Sequence, residues 1–193
     1  MSENGLKTKR VSGIFFAIII AFWTVFLGVV GYSVAEKRLY PLEYKEEILQ
    51  VADAYGLERE LLFAFVRTES GFDANATSVK GAVGLMQILP STAEFIAKKR
   101  GIVEYNLYDI KTNLDFGGYY LRYLMERFNG LTEVAAAYNA GEGNVRSWLK
   151  NAEYSSDGIT LYKIPYAETE RYVQKIYKSL ESYRKLYGKL LDK

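Results

Sequence analysis

The 193-residue chain contains no histidine and no cysteine. Without histidine, Ser–His and Cys–His nucleophilic catalysis is excluded and the commonest metal ligand is missing. Without cysteine there is no disulfide, no thiolate chemistry and no lipid-modified cysteine. The compartment stays open on that count, because extracytoplasmic proteins need not contain disulfides. A basic excess is lacking as well. The formal charge is +2, but residues 1–35 hold three of the 25 Lys+Arg and one of the 23 Asp+Glu, leaving 22 of each for the remainder. A formally neutral remainder lacks the electrostatic footprint of a nucleic-acid binder. There is no internal repeat, no low-complexity segment and no alternating run long enough for a large sheet. Hydrolytic chemistry would have to rest on carboxylates, lysines or tyrosines.

One long uncharged run is present. Lys7, Lys9 and Arg10 precede residues 11–35, which carry no charge and include Ile14-Phe15-Phe16-Ala17-Ile18-Ile19-Ile20. As a helix those residues reach about 37 Å at 1.5 Å each, enough for a bilayer core of about 30 Å. The basic residues before the run and Glu36 after it favour an inside N-terminus. The organisation expected is a cytoplasmic segment 1–10, a single transmembrane anchor 11–35, a tether 36–43, one domain over 44–187 and a tail 188–193. A cleaved signal peptide is the competing reading, since Ser33-Val34-Ala35 resembles a small-residue cleavage site, but the apolar core exceeds a usual signal core of about 7–15 residues.

The remainder is long enough for one compact domain of about 150 residues, and its periodicity predicts a mainly α structure. Helices are expected over residues 43–55, 58–70, 111–128, 132–139, 144–149 and 169–187. Another should open on a capping box, Ser91-Thr92-Ala93-Glu94, and end near Gly101. Gly56 supplies a stop for the first. Residues 151–165 form the longest irregular stretch, with room for a small hairpin around Ser155-Ser156-Asp157-Gly158. The charge-rich end, 181–193, reads as a solvated helix face and tail.

Glu69 closes the apolar stretch Leu61-Leu62-Phe63-Ala64-Phe65-Val66-Arg67-Thr68-Glu69. A carboxyl group desolvated by such neighbours has its pKa raised, holds a proton near neutral pH and can donate it. An incidental glutamate would gain little there, since the helix macrodipole disfavours an acid at a C-terminus. Beyond Glu69 the chain runs into a glycine-rich, neutral polar segment, Ser78-Val79-Lys80-Gly81-Ala82-Val83-Gly84-Leu85-Met86-Gln87. The string from Glu69-Ser70-Gly71 to Pro90-Ser91-Thr92-Ala93 resembles the first motif of the soluble lytic transglycosylase (SLT) family, enzymes of lysozyme-like fold that cleave peptidoglycan. Asn113-Leu114 with Gly117-Gly118-Tyr119-Tyr120-Leu121 is similar to a weaker second segment. Ala135-Ala136-Ala137-Tyr138-Asn139-Ala140-Gly141 resembles the tyrosine-asparagine motif, and Ile164-Pro165-Tyr166-Ala167-Glu168-Thr169-Glu170-Arg171-Tyr172-Val173 the C-terminal one. Ala74 departs from the pattern, standing where many members carry proline.

The resemblance implies a lytic transglycosylase that works without metal or cofactor on peptidoglycan glycan strands. Glu69 would protonate the bond between N-acetylmuramic acid and N-acetylglucosamine. It would then take the proton of the muramoyl C6 hydroxyl as a 1,6-anhydro ring closes. Ser78, Gly81, Met86, Gln87, Tyr138, Asn139, Glu168 and Tyr172 are the substrate-binding residues implied, with Met86 packing on a sugar face or in the core. Gly81 and Gly84 are expected because side chains there would obstruct the chain or the glycan, and Glu168 as a sugar ligand or as the group orienting Tyr138 or Tyr172. The expected partners are the glycan and, through the N-terminal run, the cytoplasmic membrane, with the domain on the cell-wall side; no protein partner is indicated. Two alternatives remain. A muramidase would hydrolyse the same bond with a base for water, for which Asp73, Asp115 and Glu142 are nearest. A non-catalytic glycan-binding scaffold is the other.

Overall fold

The computed structural model describes the backbone of residues 3–191 and the side chains of residue 16 and residues 19–191. The chain divides into two units, Met1–Pro41 and Leu42–Lys193.

The first unit is one helix, α1 (Glu3–Leu39). Its segment Ile19–Leu39 has a mean hydropathy of 1.7 and none of it is buried, so by length and composition it can cross a membrane. The side chains of the basic group at residues 7–10 lie outside the described ones. Helix continues through Glu36, Lys37 and Arg38, where a tether is expected from the sequence. No glycine or proline interrupts those residues, and the stop comes at Tyr40 because Pro41 disfavours α-geometry in the residue before it.

The second unit is built from α2 (Lys45–Tyr55), α3 (Arg59–Glu69), α4 (Pro90–Arg100), α5 (Ile110–Met125), α6 (Leu131–Ala140), α7 (Glu142–Leu149) and α8 (Ala167–Leu191). All seven expected helices are present, and no strand occurs among the described residues. Gly56 ends α2 at φ 59° as expected. Residues 60–66 of α3 are all buried, the mark of a helix surrounded on every side. Helix α8 covers it with a stripe at helical spacing, Thr169, Tyr172, Val173, Ile176, Leu180 and Tyr183. Phe63 and Tyr183 meet at 5.4 Å between ring centres. Each such buried side chain stabilises by about 1.5–3 kcal/mol. Helix α3 thereby becomes a fixed post whose last residue is Glu69.

Three expectations change. Helix α4 starts at Pro90 with Leu89 as N-cap and no side-chain cap, so the capping box at Ser91 does not form. Proline at the first helical position has the right φ and no N–H to satisfy, which moves the N-cap two residues earlier, from Ser91 to Leu89. The hairpin is absent. Residues 155–160 instead wrap the Asp157 carboxylate, which accepts from the Ile159 and Thr160 amides at 2.8 and 2.7 Å. The C-terminal end is not a free tail up to Leu191, for α8 reaches that residue, which is 1% exposed and whose carbonyl accepts from Arg59. Residues 192–193 lie outside the described residues.

Candidate active site

Between α3 and α4 the chain makes no helix, and this segment forms one wall of the site. Ser70 caps α3 with its Oγ accepting from the Phe72 amide at 3.1 Å. Gly71 and Phe72 then turn the chain at φ 60° and 70°. A left-handed phenylalanine costs about 1–2 kcal/mol, and burial of its ring, 4% exposed beside Phe63, offsets that.

The loop continues as a tight turn. The Gly81 amide donates to the Ser78 carbonyl at 2.9 Å and the Ala82 amide to Ser78 Oγ at 3.0 Å. Val83 and Ile88 exchange backbone bonds of 3.1 and 3.0 Å. Gln87, at φ 46°, donates through Nε2 to the carbonyls of Ala76 and Gly84 at 3.1 and 3.0 Å. Asn113 of α5 locks the whole loop. This residue, 1% exposed, accepts from the Met86 amide and donates to the carbonyls of Val83 and Leu107, all at 2.8 Å. A Cβ on Gly84 would lie 2.3 Å from Asn113 Nδ2, so glycine there is required by obstruction as expected. Gly81 differs. Nothing lies near its would-be Cβ, and the requirement is its φ of 78°.

Helices α6 and α8 supply the opposite wall. Tyr138 donates from its hydroxyl to the Met86 carbonyl at 2.8 Å. Asn139 accepts through Oδ1 from Thr169 at 2.7 Å, which leaves its Nδ2 as a donor. Tyr172 donates to Glu69 Oε1 at 2.5 Å.

These walls enclose a cleft of about 310 Å³ lined by Glu69, Ser78, Gln87, Tyr138, Asn139 and Glu168 among the residues expected from sequence. Three others do not line it. Met86 is fully buried with its side chain against Gly117, the core alternative expected for it, and its carbonyl serves as the seat for Tyr138. Gly81 shapes the turn beside the cleft. Tyr172 stands behind Glu69 and contacts its carboxylate. Glu168 orients neither tyrosine, since Tyr138 bonds to Met86 and Tyr172 to Glu69.

Burial pushes the Glu69 carboxyl up to about 7, against the opposing pull of the Tyr172 hydroxyl. Burial first, then the Glu69 charge, raises the Tyr138 and Tyr172 phenols well above their ordinary value, so both stay neutral donors. The acids considered as bases for water lie elsewhere. Asp73 accepts from the Asn75 amide at 2.9 Å; Asp115 is engaged by Tyr55 and Arg100. Glu142 faces a separate cleft of about 180 Å³ and is held by Tyr123 and Arg146. Among the described residues no group of three or more acidic side chains is placed to hold a metal ion.

Sequence reading missed Val79, Lys80, Ala82 and Leu89 as lining residues, and it missed the part played by Asn113. A polar residue amid the buried Leu114, Phe116 and Gly117 of a helix was the available signal for the last.

The Tyr172 contact predicts a shift. The hydroxyl stabilises the charged form of Glu69, so Tyr172→Phe should move the Glu69 titration, followed by carboxyl NMR, to higher pH. Such a hydrogen bond to a charged group contributes about 1.5–3 kcal/mol. A titration that stays in place or moves down would show that Tyr172 does not govern the Glu69 proton.

The transglycosylase SLT domain description matches residues 46–159, more than half of the chain. Soluble lytic murein transglycosylase of Salmonella typhimurium is 34% identical over 155 residues, covering 77% of this chain and 24% of that protein. Membrane-bound lytic murein transglycosylase C of Glaesserella parasuis is 27% identical over 207 residues, 94% of this chain and 55% of that protein. The crystal structure of the 70 kDa soluble lytic transglycosylase of Escherichia coli aligns with a TM-score of 0.68 at 32% identity, over 78% of this chain and 25% of that one. The chain spans about a quarter of the length of the soluble relatives it matches. Sequence and fold agree over the same helical unit, whose fold is the lysozyme-like one of those structures, and the chain belongs to the transglycosylase SLT domain family.

Proposed function

We propose that the chain is a peptidoglycan lytic transglycosylase in which Glu69 is the single acid and base. The observation that carries this reading is a carboxyl group pushed up to about 7 in the wall of a polar cleft. Near neutral pH that group is substantially protonated. It gives its proton to the glycosidic oxygen as the bond from muramoyl C1 to that oxygen breaks. The resulting carboxylate takes the proton of the C6 hydroxyl as O6 closes on C1, and Glu69 returns to its starting form. No water is consumed. The oxocarbenium-like transition state is supported by the substrate's own acetamido carbonyl. Asn139 Nδ2 and Ser78 Oγ offer neutral hydrogen bonds to fix that group and the hydroxyls.

The product decides between this reading and hydrolysis. Purified full-length protein in detergent and chelator should release glycan ends that are 1,6-anhydro, one water lighter than reducing ends, with no oxygen from labelled water. Reducing ends carrying the label would make the protein a muramidase, with Glu168, the second acid lining the cleft, as the first base to test.

The placement proposed is a single span with the helical unit on the cell-wall side of the cytoplasmic membrane. It is supported by the apolar segment of α1, by three basic residues before the span against Lys37 and Arg38 beside Glu36 after it, and by the membrane-bound relative. Protease added to intact protoplasts should remove the helical unit; full protection rejects this orientation.

A further inference from the structure

The cleft contains a cation that the proposed chemistry does not use. Lys80 lines it, alongside the acids Glu69 and Glu168, and makes no ion pair among the described residues. Its position is built rather than casual. Val79 and Lys80 are the two central residues of the turn closed by the Gly81 amide on the Ser78 carbonyl, 2.9 Å. A second bond, from the Ser78 amide to the Ala82 carbonyl at 2.9 Å, ties both ends of the turn together. Val79 is wholly exposed, at 108%, an apolar side chain held in water beside the lysine.

A neutral sugar chain does not need the charge of an ammonium group, because its hydroxyls and acetamido groups are met by amides and hydroxyls, which the cleft already has. The muramoyl residue adds a branch on its lactyl ether. That branch ends in carboxylates, either along a peptide stem or, where the stem is missing, on the lactyl group itself, and it carries methyl groups. An anion esterified to O6 does not qualify, since O6 is the nucleophile of the proposed reaction.

Resting on that reaction, we propose that Lys80 and Val79 form a subsite for the lactyl-peptide branch, Lys80 binding a carboxylate and Val79 its apolar part. The subsite makes the enzyme discriminate between strands by the charge on this branch. It acts on binding and leaves the proton transfers to Glu69.

The test uses full-length protein in detergent and three soluble strands: stems with free carboxylates, the same stems with every carboxylate amidated, and strands stripped of stems that end in the lactyl carboxylate. An exposed ion pair corresponds to about a two- to fivefold change in affinity. Lys80→Gln should therefore raise KM about two- to fivefold on the first strand at low salt. The amidated strand should show no difference between Lys80→Gln and wild type, and the effect should fade at about 1 M salt. Lys80→Arg should restore binding. On the stripped strand, persistence of the effect assigns the partner to the lactyl group and its loss assigns it to the stem; either supports the subsite. An unchanged KM on the first strand overturns the proposal, and so does an equal change on the amidated one. The same comparison is made as strand affinity between Glu69→Gln and Glu69→Gln/Lys80→Gln. If wild type releases no anhydro ends, the proposed reaction fails on that result alone, while the affinity comparison still judges the subsite.

Discussion

Glu69→Gln is expected to lower release of anhydro ends at least about 10²- to 10⁴-fold. Glutamine keeps the size of the side chain but neither gives nor retrieves a proton, and among the described residues the only other acid lining the cleft is Glu168. Affinity for glycan should stay near that of wild type. Turnover close to wild type would remove Glu69 from its role. The same substitution has a second consequence. Folding raises the Glu69 carboxyl from an ordinary 4.5 to about 7, so the native state binds more protons than the unfolded state between those values. Stability therefore falls as pH rises across that window. Wild type carries an unfavourable buried charge above it, whereas Gln does not. Glu69→Gln should thus be more stable than wild type at pH 8, by about 1–3 kcal/mol, with the gap closing towards pH 4. Denaturant unfolding at several pH values checks this. Equal stabilities at all of them would show that the carboxyl is not desolvated.

Asn113→Ala carries the second large effect, far from any substrate atom. It strands the Met86 amide and the Leu107 carbonyl, and it takes one of two hydrogen bonds from the Val83 carbonyl, which keeps the Ile88 amide. A buried polar group left without a partner costs about 1–3 kcal/mol, so a loss of about 3–5 kcal/mol is expected against a total of about 5–15 kcal/mol for a typical domain. Because Met86 also seats Tyr138 through its carbonyl, the damage should reach the cleft before the unit unfolds. Activity at temperatures where circular dichroism still reports full helix should fall about tenfold or more. Loss of stability with undiminished activity in the folded protein would show that the loop holds its shape without this anchor.

The burial of the Glu69 carboxyl was legible because its cause is local. An acid one helical turn beyond the unbroken apolar run from Leu61 to Val66 is desolvated wherever that helix packs, and the helix had to be buried. The seven helices of the domain were legible for the same reason, since a stripe recurring every three or four residues is a property of the chain itself. The apolar run near the N-terminus announced its own length.

What sequence left open are pairings between residues distant along the chain. Tyr172 reaches Glu69 across 103 positions, Tyr138 reaches Met86 across 52, and Asn113 reaches Met86 across 27. The motif left Met86 on a sugar face or in the core and put Tyr172 among the sugar ligands; close packing against Gly117 buries the first, and the approach of α8 to α3 brings the second to the Glu69 carboxylate. Lys80 carries no local sign that it faces a cleft, because periodicity is silent in a turn. Residue order determined the helices and the burial of Glu69. The hydrogen bonds that fold the loop of residues 70–89 onto α5, and the packing of α8 on α3, decided which of its neighbours face the cleft.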